Sequence, residues 1–490
     1  MQVDLLVTGG RVIDPENGVD AVADVAVTAG RIVSIGANGV EANRRLDASG
    51  CVVAPGFIDL HSHAQTTPSL RLQALDGVTT ALDLEAGAGD VTAALAAARE
   101  QGRPIHHGYS AAWATTRISV VTGAPRARTF LDSAGDLGAT AWQAEIDRRQ
   151  QDVLLGHLGE QLDAGAIGLG ILVGYAPGTP ASEYSALSAL AAERGLPTFT
   201  HARGKNPTPP YGIVEAVDEL IDAAEETGAH THLCHLNSSS LRAVDDVTER
   251  ISRARERSLH VTTEAYPYGA GMTAIGAPFL HPDRLARVGV APSQLVVLRT
   301  GERPADAGRL LELRESDPGA LVAIHYLDED APAERALVER AVFFDDTAIA
   351  SDAIPFTLPD GSAVEGDRLV PRGALSHPRS AGAFAKFLRL ARETGRLALI
   401  DAVRRCTLLP ATILADAVPV MNTKGRVQVG CDADLVVFDP DRVTDRATYA
   451  EPTLGSSGFR HVLVDGVSVV RDGVVTDALP GRAVVGGGAR

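Results

Sequence analysis

The chain has 490 residues and a formal charge of −17, with 62 Asp and Glu against 45 Lys and Arg, so it lacks the basic surface that nonspecific nucleic-acid binding requires. Its four cysteines show no Cys-x-x-Cys spacing, which excludes a disulfide framework and fits a reducing compartment. The opening MQVDLLVTGG is not patterned as a secretory signal and no apolar run is long enough to span a membrane, which predicts a cytoplasmic protein with no membrane partner.

Residues 1–54 read as short strands separated by glycine turns (DLLVTGGRVID, ADVAVTAGRIVSIG, RLDASGCVVAPG). Residues 420–490 read the same way, through GRVQVGCDADLVVFDP and FRHVLVDGVSVVRDGVV. Two such ends around a differently patterned centre predict one small β-sandwich domain built from both termini. The centre, 55–419, alternates apolar β-type runs with helical stretches such as VTAALAAAREQ and IVEAVDELIDAAEETG. Candidate strands lie at 55–63, 77–85, 104–113, 165–174, 196–203, 231–236, 259–267 and 347–353. Eight strands with crossover helices predict an α/β fold, the (β/α)8 TIM barrel. The connections 114–164 and 268–346 are too long for simple loops; the second, an insertion with its own helical stretches and an extra strand-like LVAIHYL, is expected to form a lid or a substrate wall.

In such barrels the chemistry sits at the carboxyl ends of the strands. The first candidate strand ends in VAPGFIDLHSH, where alternation puts Phe57, Asp59, His61 and His63 on one side. In TTALDLEAG, Ala81, Asp83 and Glu85 share a face; Glu85, nearest the rim, is placed to bridge two metals, and Asp83, one step deeper, to hydrogen-bond a ligand imidazole. Later strand ends offer His201, His235 and Asp352. In AHTHLCHLN, His230 and His232 share one face while Thr231, Leu233, His235 and Asn237 share the other. Only one face of a strand can be inward, so His235, nearer the end, is the first choice and His232 the alternative. His106 and His107 lie too early on their strand to reach the rim and read as structural. Imidazoles and carboxylates in this number suit Zn²⁺, with one or two ions per chain. Metal coordination brings the pKa of water near neutrality, and Asp352 is the candidate group to take its proton.

Longer motifs surround these residues: PGFIDLHSH, GAIGLGILVGYAPG, THARG, HLCHLN, EAYPYGAGMT, ASDA and SHPRSAGAFAKFL, with GRVQVGCDADLVVFDP near the end. On these the chain resembles the metal-dependent amidohydrolase superfamily over nearly its whole length, and within it the N-acyl-D-amino-acid deacylases. The resemblance implies deacylation of an N-acyl-D-amino acid by metal-activated hydroxide, with a small, carboxylated amide as the substrate. It implies His61, His63, His201, His235 and Asp352 as metal ligands, with Asp352 also the general acid/base. Arg379 and Tyr175 would hold the substrate's carboxylate, and Tyr266 and Tyr268 would wall the pocket.

Two departures stand out. The family commonly carries a metal-binding Cys at the end of strand two, where this chain offers Glu85; a carboxylate bridge is the implied replacement, similar to sequences described as D-glutamate deacylases. The family's His-Leu-Lys reads His-Leu-Asn here, so Asn237 removes a cation from the pocket, and Arg203 is the candidate substitute. The alternatives are a cyclic-amide hydrolase of the dihydroorotase or hydantoinase kind, a biosynthetic amidohydrolase acting on a peptide or amide intermediate, and a non-catalytic scaffold. Cyclic-amide hydrolases usually bridge their metals with a carboxylated Lys on strand four, and GAIGLGILVG contains none. A scaffold would have lost ligands that are all present here. A homo-oligomer is expected on general grounds.

Overall fold

The computed structural model describes residues 2–36, 39–129, 131–136, 138–204 and 212–487. The apolar runs of the centre become eight parallel strands: Phe57–Asp59, Val78–Ala88, His106–Ala112, Leu169–Ile171, Thr198–Thr200, Thr231–Leu233, Val261–Ala265 and Thr347–Ile349. They pair in chain order, and only Thr262 among their residues is not fully buried, as expected of strands covered by helices outside and packed against each other inside. The ring closes between its ends. His63 N–H donates to the Ala353 carbonyl at 2.8 Å, and Ser351 N–H donates to Asp59 Oδ1 at 3.0 Å. Asp59 also accepts from the His61 N–H at 3.1 Å and the Gln73 amide at 3.1 Å, so one buried carboxylate sets the register of the first strand against the last.

A second sheet of nine strands joins the two ends of the chain. Gln2–Asp14 pairs along one edge with Val19–Thr28 and along the other with Glu41–Asp47 and Val52–Pro55. Val52–Pro55 then pairs with Leu435–Phe438, which leads to Phe459–Val464, Val467–Arg471 and Val474–Val475. The first strand kinks where its register shifts between Val7 and Gly10; Gly9, at φ 68, supplies the left-handed backbone. That kink lets one strand serve both layers of the expected sandwich, so a single continuous sheet encloses Leu5, Val12, Val27, Val53, Leu435 and Val437.

Beyond Val475 the chain leaves this sheet and runs under the amino-terminal end of the barrel. Gly481 N–H donates to the Arg103 carbonyl at 2.9 Å, Val484 N–H to His107 at 2.7 Å and Gly486 N–H to Gly165 at 3.0 Å. His106 and His107 lie at this end, with His106 Nε2 3.2 Å from Asp434 Oδ1. The insertion after the seventh strand holds a three-stranded antiparallel sheet, Ala270–Ala274, Leu295–Val297 and Leu321–His325. Among the described residues no helix is long and apolar enough to cross a membrane.

Candidate metal centre and substrate pocket

At the carboxyl end of the barrel the strand-end side chains converge into two donor sets. His61, His63 and Asp352 form one, and Glu85, His201 and His235 the other; within each set the ligand atoms lie within 4.8 Å of one another. Glu85 joins them. Its Oε2 is 3.2 Å from His61 Nε2 and 3.5 Å from His63 Nε2, while its Oε1 is 2.7 Å from His235 Nε2 and 3.0 Å from His201 Nδ1. Asp352 Oδ1 completes the first set at 3.5 Å from His61 Nε2 and 3.6 Å from His63 Nε2. Four imidazoles and two carboxylates with mutually facing donor atoms fit a pair of divalent ions bridged by one carboxylate.

Electrostatics favour positive charge at the same place. Burial alone would push the Glu85 carboxyl up, but the imidazoles of His61, His235 and His201 hold it well below the usual carboxylate range. Burial alone would push the His63 imidazole down, yet Asp83 and Glu85 raise it to about 9. The anions are ready as ligands, and the nitrogens sit in a field that attracts a cation.

A further layer orients these groups. Asp83 Oδ1 is 2.9 Å from His63 Nδ1, which turns His63 Nε2 toward Glu85 and Asp352. Ser239 Oγ donates to the Cys234 carbonyl at 3.1 Å and so accepts from His235 Nδ1 at 3.0 Å, leaving the His235 Nε2 lone pair toward Glu85. Glu264 lies beneath both sets, 2.9 Å from His61 Nδ1 and 2.7 Å from His232 Nε2. Reading strand ends alone misses Glu264, because the rim residue of LHVTTEAYP is Tyr266; the alternation Thr262, Glu264, Tyr266 carries the missed signal.

The choice between His232 and His235 needs correction. Both reach the barrel interior: the sixth strand ends at Leu233, and His235 has a left-handed φ of 38°, which breaks the alternation that made the two exclusive. His235 is in the donor set, and His232 lies one layer deeper against Glu264.

Above the donor atoms lies a pocket walled by Tyr175, Tyr266, Met272, Phe279, Ile324 and Tyr326. The Tyr175 hydroxyl is 2.7 Å from Thr273 Oγ1, which ties the turn after strand four to the insertion. Arg379 lies behind Asp352, 1% exposed, with Nη2 2.9 Å from Asp352 Oδ1 and its guanidinium carbon 4.6 Å from the Tyr266 ring centre. That ion-pair contact is not aligned as a hydrogen bond, and its nitrogens have no hydrogen-bond partner among the described residues.

Three expected substrate contacts are placed elsewhere. Arg203 forms a two-pronged pair with Glu219, Nη2 to Oε1 at 2.7 Å and Nε to Oε2 at 3.0 Å, and so supports the helix Ile213–Thr227 rather than replacing the missing Lys. Asn237 is engaged with the backbone instead; its amide donates to the Tyr268 carbonyl at 3.0 Å and accepts from the Tyr266 N–H at 3.2 Å. The same segment turns tightly, with Tyr268 N–H donating to the Tyr266 carbonyl at 2.9 Å, so the two rings diverge. Tyr266 faces the pocket, while Tyr268 packs under the Lys386 ammonium, 3.7 Å from its ring centre.

The chain matches the Amidohydrolase family over residues 44–470. It is 30% identical over 491 aligned residues to N-acyl-D-glutamate deacylase of Alcaligenes xylosoxydans xylosoxydans, covering 96% of this chain and 94% of the relative. It is 27% identical to D-aminoacylase of the same organism, covering 98% and 97%. Its fold matches, with a TM-score of 0.77 and 27% identity, the N-acyl-D-glutamate deacylase of Bordetella bronchiseptica solved with zinc and a phosphonate mimic of the tetrahedral intermediate, covering 99% of this chain and 100% of that one.

Proposed function

The chain belongs to the amidohydrolase family, and from that premise we propose that it is a zinc-dependent hydrolase of linear amides that deacylates N-acyl-D-amino acids. The observation that carries this reading is the Glu85 carboxylate, with one oxygen toward His201 and His235 and the other toward His61 and His63, beneath a pocket that Asp352 also lines. His61, His63 and Asp352 would hold one ion, His201 and His235 the other, with Glu85 shared. Bound there, zinc supplies Lewis-acid polarisation of the amide carbonyl and acidifies water.

The chain's own groups do the rest. Asp352 takes a proton from the attacking water and delivers it to the amide nitrogen. A C–O bond forms as the C–N bond breaks, and a carboxylic acid and a free amino acid leave. Arg379 draws the substrate's α-carboxylate toward Tyr266, using the guanidinium nitrogens that lack hydrogen bonds. Burial pushes the Tyr175 hydroxyl far up, so it stays protonated and serves as a donor beside that carboxylate. Tyr266 and Phe279 exclude water from the reacting amide. The cyclic-amide alternative has no support at Leu169–Ile171, whose side chains offer no bridging lysine. Four buried free cysteines support placement in a reducing compartment, the cytoplasm.

Elemental analysis of wild type and Glu85→Ala, with hydrolysis of N-acetyl-D-amino acids including D-glutamate measured alongside, tests this reading. About two zinc ions per chain are expected in wild type, falling in the variant together with activity. Metal unchanged in Glu85→Ala would remove the bridge, and a metal-loaded wild type that hydrolyses no D-substrate would overturn the activity.

A further inference from the structure

We propose that Glu264 is the positioning residue that holds one ligand of each metal subsite in place. This role presupposes the two-metal reading above and adds a residue to it. Glu264 is on the inner face of the seventh barrel strand, Val261–Ala265, and is 1% exposed. Its Oε1 accepts from His61 Nδ1 at 2.9 Å and from the His235 backbone N–H at 2.6 Å; its Oε2 accepts from His232 Nε2 at 2.7 Å. One carboxylate thus touches His61 of the first donor set and the backbone of His235 of the second.

Two consequences follow from donor and acceptor chemistry. With the His61 proton committed to Glu264 at Nδ1, the Nε2 lone pair faces His63, Glu85 and Asp352, which is the tautomer a metal needs. His235 sits at a left-handed φ of 38°, and its N–H bond to Glu264 holds that backbone where Nε2 meets Glu85. The layer below keeps Glu264 itself in place. His230 Nε2 lies 2.7 Å from Thr262 Oγ1, and that hydroxyl lies 2.8 Å from His232 Nδ1, so His232 presents its Nε2 proton to Glu264. Glutamine at 264 would offer one acceptor oxygen to three buried donors, leaving at least one of them unpaired.

The test compares zinc affinity by chelator competition, and the visible spectrum of the Co²⁺-substituted protein, in wild type and Glu264→Gln. Zinc binding is expected to weaken about 10- to 100-fold in the variant, and the Co²⁺ bands at saturating metal to shift, since ligand geometry changes as well as stability. Zinc affinity and Co²⁺ bands equal to wild type would overturn the role. A second measurement needs no variant: ¹⁵N-histidine NMR of the zinc-loaded wild type is expected to show the His61 proton on Nδ1. Metal on Nδ1 would overturn the role even if Glu264→Gln fails to fold. A wild type that binds no zinc would overturn the two-metal reading and this inference with it; a wild type that binds zinc alongside an unaffected Glu264→Gln would overturn the inference alone.

Discussion

Asp352 stands three residues beyond the end of the eighth strand at φ 51, a conformation that costs a non-glycine residue about 1–3 kcal/mol. The strain places its carboxylate between the imidazoles of the first donor set and the Arg379 guanidinium. Asparagine there keeps the size and one ligand oxygen but has no basic oxygen for the proton. We expect Asp352→Asn to lose about 10²- to 10⁴-fold in kcat while the second donor set keeps its metal, checked by steady-state kinetics beside metal analysis. High residual turnover in the metal-loaded variant would assign the proton transfer elsewhere. His61, His63, Glu85, His201, His235 and Asp352, which the structure brings together, were legible in the sequence because inward side chains converge at or near the carboxyl ends of barrel strands. Glu264 was not, because it acts one layer below the rim. Arg203 and Asn237 were misplaced because whether a polar side chain faces a pocket or a neighbouring element depends on partners distant in sequence, here Glu219 and the backbone at Tyr266 and Tyr268.

Elements set how closely these residues approach. The fourth strand, Leu169–Ile171, passes into a single 3-10 turn, Val173–Tyr175, packed directly on His201. A Cβ on Gly174 would lie 2.6 Å from His201 Cδ2 and 2.7 Å from the Ala202 carbonyl oxygen. Neither neighbour can yield cheaply, since one is the buried ring of His201 within the second donor set and the other is backbone. Gly174→Ala is therefore expected to displace His201 and weaken the second donor set before the first, so zinc titration should show one affinity falling while the other holds. Equal affinities in variant and wild type would mean that the turn relaxes away from His201. The eight barrel strands were legible because stretches of β-forming residues, closed by His, Glu or Asp near their carboxyl ends, alternate with helical stretches. Of the insertion's sheet only the central strand was legible, as the strand-like LVAIHYL that becomes Leu321–His325. The strand Leu295–Val297 has three residues, and Ala270–Ala274 finds its partner at Leu321–His325, a pairing that no local pattern specifies.

At the scale of the molecule, the barrel is held to the terminal sheet by a buried charge cluster under its floor. Lys424 Nζ lies 2.5 Å from Asp434 Oδ2 and 3.0 Å from Asp432 Oδ2, and Asp434 Oδ1 meets His106 of the third barrel strand at 3.2 Å. The assembly of one sheet from both termini was legible in the repeated strand-and-glycine pattern. The return of residues 481–487 beneath the barrel was not, because that segment bonds through its backbone and carries no apolar period. Burial would push the Asp434 carboxyl up, but Lys424 and His106 hold it far below the usual carboxylate range. Because its folded pKa lies below its unfolded one, the stability it contributes is complete above about pH 4–5 and is lost as pH falls further. Asp434→Asn leaves Lys424 with Asp432 alone and is expected to cost about 3 kcal/mol at pH 7. The wild type should then lose that advantage on acidification, the gap narrowing by up to about 1.4 kcal/mol per pH unit below about pH 4. Denaturant unfolding of both proteins at pH 7 and between pH 4 and 3 measures the gap. If it stays constant across that range, the ionised Asp434 is not what holds the two parts together.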